Sequence, residues 1–164
     1  PLSNLTNLEI LELDSNQITD ISPLSNLTNL TKLHVSMNEI ADLSTLYNLT
    51  NLVELNLSDN KITDLSPLYN LTNLAELNLS DNKITDIYLL TSLLTSLPKL
   101  TYITNYADDY DYDYCIGIES DSDRARANDY DYEDMDIEVA ERIREMNNDP
   151  KLQGITWGGS FLWV

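Results

Sequence analysis

One 22-residue segment is written four times in succession. Residues 1–22 read PLSNLTNLEILELDSNQITDIS, and blocks beginning at Pro23, Thr45 and Pro67 realign at the same period. A period in this range marks supersecondary units that cannot bury an apolar face alone and gain a core only by stacking on their neighbours. Within each block the spacing L-x-x-L-x-L-x-x-N-x-I recurs. It is carried by Leu8, Leu11, Leu13, Asn16 and Ile18, and then by Leu30, Leu33, Val35, Asn38 and Ile40. The third and fourth copies are Leu52, Leu55, Leu57, Asn60, Ile62 and Leu74, Leu77, Leu79, Asn82, Ile84.

The central L-x-L alternates as a short strand with one buried face should, and stacked copies would form a parallel sheet one strand wide per repeat. Asn16, Asn38, Asn60 and Asn82 fall where the chain must turn inward after the strand. A buried turn strands backbone N–H and C=O groups, and a carboxamide both donates and accepts, so these four form a structural ladder. Ser22-Pro23 and Ser66-Pro67 read as a helix cap followed by proline at the first helical position. That predicts one short helical turn per repeat on the return side, with Leu24, Leu27, Leu46, Leu49, Leu68 and Leu71 pointing inward.

These motifs resemble the 22-residue leucine-rich repeats of bacterial internalins, whose PLxxLTNLxxLxLxxNxIxDI signature is matched nearly letter for letter by residues 1–88. The regulatory subunit of protein phosphatase 1 uses a similar repeat. The resemblance implies a curved α/β solenoid with short parallel strands on the concave face and short helical turns on the convex face. It further implies a concave protein-binding surface, used for adhesion to a host receptor in internalins and for enzyme regulation in the phosphatase subunit.

After the fourth copy the pattern decays. Leu97, Leu100, Tyr102, Asn105 and Ala107 read as a fifth, degenerate repeat with one inserted residue, which sets the solenoid at 1–107 and an acidic segment or cap at 108–164. Residues 107–145 hold 15 acids against 4 bases, and residues 1–106 hold 12 against 4. Within the acidic stretch Tyr110, Tyr112, Tyr114, Ile116 and Ile118 keep period 2, so a strand could form there. Met135, Val139, Ile143 and Met146 lie on one stripe of a predicted helix over about 134–147, with Pro150 just past its end.

Composition narrows the function. The net charge of −19 disfavours nucleic acid and anionic lipid as partners, and no apolar run is long enough to insert in a membrane. His34 and Cys115 are the only residues of their kinds, so no disulfide within the chain and no Cys/His zinc site can form. Asp109, Asp111 and Asp113 have the spacing that opens a calcium loop. Tyr114 replaces the turn glycine and Ser120 the closing Glu, so no metal is assigned. A Ser-His-acid grouping around His34 with Ser36 or Ser58 lacks an oxyanion turn, so the chain reads as non-catalytic and free of cofactors.

What remains is a polar concave face. Glu12, His34, Asn56 and Asn78 occupy one strand position of successive repeats, and Lys32, Glu54 and Glu76 another. These seven are the expected contacts to a protein ligand, in an extracellular or cell-surface setting, with the cytoplasm as the alternative. Two other roles compete with it. One is a structural subunit that self-associates end to end through an uncapped first repeat, and the other an acidic cytosolic regulator or inhibitor.

Overall fold

The computed structural model of the protein describes residues 2–84, 87–105 and 116–117. Within them each repeat contributes one three-residue strand: β1 (Ile10–Glu12), β2 (Lys32–His34), β3 (Glu54–Asn56) and β4 (Glu76–Asn78). They pair in parallel with no slip, Leu11, Leu33, Leu55 and Leu77 standing directly opposite one another. The middle residue of each strand is buried and its two neighbours are not, as an L-x-L alternation demands.

The return path also repeats. Short 3-10 turns at Ser22–Leu24, Ser44–Asn48 and Ser66–Leu68 form the convex side, and Leu24, Leu46 and Leu68 are buried beneath them. Serine does not cap these turns, contrary to the expectation at Ser22 and Ser66. Ser22 is the first residue inside its turn and Ile21 stands at the N-cap without a side-chain bond; the turn is held instead by Asp20, whose carboxylate accepts from the Ser22 backbone N–H at 2.7 Å and its hydroxyl at 2.9 Å. Asp42 serves Ser44 and Asp64 serves Ser66 in the same way. A carboxylate two residues upstream reaches both donors at once, whereas the Ser hydroxyl is itself one of them. Those two bonds hold the Asp20 carboxyl below the usual carboxylate range, the backbone one most.

Among the described residues the core is a single column of leucines and isoleucines, with Val35, from Leu11 to Ile103. Its first layer is thinner than the rest. Leu8, Leu13 and Ile18 are half-buried, while Leu30, Val35 and Ile40 one repeat later are fully enclosed.

Beyond β4 the register departs from expectation. The α-helix α1 (Ile87–Ser96) replaces the 3-10 turn, burying Leu90, Leu93 and Leu94, and β5 (Tyr102–Asn105) then pairs in parallel with β4. Leu77 stands opposite Ile103, a step of 26 residues, so four residues are inserted rather than one. Leu100 and Ile103 take the positions assigned above to Leu97 and Leu100. A ten-residue α-helix absorbs the extra length because it rises only about 1.5 Å per residue. Strand β6 (Ile116–Gly117) closes the sheet antiparallel to β5, so part of the period-2 stretch adds a strand as the alternation allowed. The predicted helix at 134–147, Ala107 and the Asp109, Asp111, Asp113 motif lie outside the described residues.

Candidate functional site

Five parallel strands side by side present two columns of outward residues on the concave face. Over β1 to β4 the first column is Ile10, Lys32, Glu54 and Glu76, and the second is Glu12, His34, Asn56 and Asn78. Strand spacing of about 4.8 Å brings residues of one column within direct reach.

Four of these side chains form one charged network. Lys32 Nζ lies 3.4 Å from Glu12 Oε1 and 3.2 Å from Glu54 Oε1, and His34 Nε2 donates to the same Glu54 oxygen at 2.6 Å. A carboxylate can only accept, so that short contact fixes the imidazole proton on Nε2. Glu54 is the hub. Burial pushes its carboxyl up, but the bonds from Lys32 and His34 together outweigh burial and hold it below the usual range. Lys32 is raised in turn, chiefly by its bond to Glu54.

The asparagines of the second column behave differently. Asn56 Oδ1 accepts from the backbone N–H of Ser58 at 3.1 Å and its hydroxyl at 2.9 Å, and Asn78 Oδ1 accepts from the Ser80 N–H at 3.0 Å. Both are half-buried turn caps. His34 cannot reach its own turn in this way. There Asp14, from the repeat before, accepts from the Ser36 N–H at 2.7 Å and its hydroxyl at 2.6 Å.

The turn asparagines form a continuous ladder beside this face. Asn60 Nδ2 donates to Leu57 O and Ser58 O of its own turn and to Val35 O of the preceding repeat, while its Oδ1 accepts from Ile40 N. Asn38 and Asn82 repeat the pattern. The Asn16 side chain is exposed, and among the described residues its Nδ2 donates only to Leu13 O and Asp14 O of its own turn. Each turn also holds one non-glycine residue in the left-handed region, Ser15, Met37, Asp59 and Asp81 at φ 52–58°.

A sequence profile described as leucine rich repeats, in two copies, matches residues 6–48 and 50–92, more than half of the chain. The chain belongs to the leucine-rich repeat family. Among solved structures, this leucine-rich repeat chain resembles internalin C2 of Listeria monocytogenes at 48% identity and a TM-score of 0.60, over 63% of this chain and 44% of that one. The internalin InlF from the same organism matches at 37% identity and a TM-score of 0.51, over 63% and 43%. A leucine-rich repeat protein of Leptospira interrogans matches at 31% identity and a TM-score of 0.58, over 64% and 27%. The chain thus spans less than half the length of these relatives. No curated protein matches. Among the described residues no helix is long and apolar enough to cross a membrane.

Two residues of the leucine-rich repeat face are missing from the seven read out of the sequence. Ile10 stands one period before Lys32 and is 57% exposed, a large apolar side chain on the concave surface. Its period alone would have placed it. Asp14 has no such signal, because its partner Ser36 is a repeat away.

The Glu54 hub predicts a pH dependence. A carboxyl whose folded pKa is depressed stabilises the fold above its unfolded pKa, near 4.3, and that stability is lost as pH falls through the lower folded value. Glu54 remains a third exposed, so less than about 1 kcal/mol is at stake. Thermal unfolding followed from pH 6 to about pH 3 should therefore fall more steeply in the wild type than in Glu54→Gln. Parallel curves would remove the hub.

Proposed function

We propose that this chain is a non-catalytic protein-binding module and that its concave face takes the ligand. The observation that carries the reading is the fixed network of Lys32, His34 and Glu54, flanked by unengaged Ile10 and Glu76. Side chains already held in place lose little rotamer freedom on binding, so a partner meets an ordered polar centre. Ile10 offers an apolar contact at one end, and the Glu76 carboxylate, which makes no hydrogen bond or ion pair among the described residues, offers an anionic one. The partner of this reading presents a basic group toward Glu76. Likeness to internalins supports a cell-surface adhesion or recognition role.

A photo-crosslinking side chain at position 76 should capture a discrete partner, and the same group at Asn26 on the convex side should not. Glu76→Lys should weaken that partner's binding by about tenfold, roughly 1.4 kcal/mol, without shifting the melting temperature. Glu54→Lys is the poorer probe, because it would also break the bonds to Lys32 and His34. Equal capture at 76 and 26 would move the site off the concave face.

A further inference from the structure

On the flank where the chain enters its strands, a shallow groove of about 640 Å³ runs along the solenoid. It is lined by two rows of repeat-equivalent residues, Asn29, Asn51, Asn73 and Lys99 in one and Glu9, Thr31, Val53 and Ala75 in the other. The asparagines are tied down, each donating Nδ2 to a carbonyl of the preceding repeat: Thr6, Thr28 and Thr50 in turn, all at 2.9 Å. The Oδ1 atoms of Asn29 and Asn51 accept no hydrogen bond among the described residues. Lys99 reaches Asn73 Oδ1 at 2.6 Å and keeps two further N–H groups.

The groove has a direction. Glu9, in the first repeat, sets a negative charge at one end, with no ion pair or hydrogen bond to its carboxylate among the described residues. Lys99, just before β5, sets a positive charge at the other end, about 19 Å away at the strand spacing. Val53 lies midway between them, in the third of five repeats, and is 44% exposed where Thr31 and Ala75 flank it.

We propose that this flank is a self-association surface for a second copy of the chain, related by a two-fold axis through Val53. A two-fold contact is self-complementary, so each residue must suit the one that symmetry brings to it. Reversing the groove end for end brings Glu9 level with the fifth repeat of the second copy, where Lys99 lies in the adjoining row within reach of its long side chain, and by symmetry the same pair forms at the other end. Val53 meets Val53, an apolar contact at the axis, and Asn51 meets Asn51, where each carboxamide has an acceptor and one donor hydrogen left. The two surfaces also share one pitch, because both are built on strands about 4.8 Å apart, whereas an extended peptide repeats at about twice 3.4 Å and would fall out of step. The concave face stays open in such a dimer, so the inference stands apart from the ligand reading above. The groove is small, and the interface falls in the weak class below about 1,200 Å².

The test is sedimentation velocity on the full chain from about 10 μM to about 1 mM, a range suited to a small interface, in 0.15 M salt so that the overall negative charge is screened beyond about 8 Å. The wild type should shift to dimer across this range. Glu9→Lys and Lys99→Glu should each weaken self-association at least tenfold, since each sets like charges together. An equimolar mixture of the two variants should recover it, because every contact between the two is again of opposite sign. Val53→Lys should abolish dimerisation, and unchanged melting temperatures would show that all three variants are folded. A wild type that stays monomeric throughout, single variants that dimerise as well as wild type, or a mixture that does not recover would each overturn the proposal.

Discussion

Asn60→Ala is expected to destabilise the fold by about 2–4 kcal/mol, whereas Asn16→Ala should cost under about 1 kcal/mol. The side chain types are identical, so the difference lies in what surrounds them. The Asn60 carboxamide is buried, donating to three carbonyls and accepting from the Ile40 amide. Alanine leaves those backbone groups without a partner where water does not reach, and each such group carries a desolvation penalty of about 1–3 kcal/mol. The Asn16 side chain is exposed and, among the described residues, bonds only within its own turn, so water takes over its contacts. Chemical denaturation of the two variants beside the wild type measures the difference. Equal losses would mean that the ladder between repeats, which Asn16 lacks on its outer side, contributes nothing.

Asn56 would be a poorer neutral comparison than Asn16. The sequence places it on the concave face, but its Oδ1 also holds both the amide and the hydroxyl of Ser58. The same distinction separates what was legible from what was not. Strand register, the buried L-x-L positions and the turn asparagines follow from a period of 22, because stacking forces equivalent residues into equivalent places. Hydrogen bonds between side chain and local backbone do not follow from the period, because Asp, Asn and Ser can each cap a turn from several offsets. Hence the pattern points to Ser22 although Asp20 holds that turn, and the Ser36 turn is held by Asp14 across a repeat boundary.

The misread fifth repeat has a different cause. Aligning Leu97 and Leu100 to the motif needs only one inserted residue, so a period-based reading prefers it. Leu90, Leu93, Leu94 and Leu97 also fall at i, i+3, i+4 and i+7, the spacing of one helix face, and all four are buried. A helical period overlying a repeat period signals that the repeat has exchanged its 3-10 turn for a longer element. On the concave face the charges were legible as a column, but their convergence on one Glu54 oxygen was not, since it depends on rotamers rather than on register.

Leu55→Ala is expected to cost about 3–5 kcal/mol, and Leu11→Ala about half as much. Both leucines are the inward residue of their strand. Leu55 is fully buried, with Leu33 and Leu77 opposite it on either side, so truncation opens a cavity that no neighbour can fill. Leu11 lies at the edge of the described core, where half-buried Leu8 and Ile18 have room to settle inward. Position along the solenoid matters as much as burial. Each repeat touches only its neighbours, so stability is close to a sum of repeat terms and interface terms in a row. Loss at Leu55 weakens the third repeat and its interfaces on both sides, which severs the first two repeats from the fourth and from α1. Loss at Leu11 weakens the first described repeat and leaves the interfaces beyond the second repeat intact. Native-state hydrogen exchange distinguishes the two outcomes: Leu55→Ala should lower amide protection in every repeat and broaden the unfolding transition, while Leu11→Ala should lower it in the first repeat alone. Uniform loss of protection in both variants would show that the solenoid unfolds as a single cooperative block, and that nearest-neighbour coupling does not limit how far a local defect spreads.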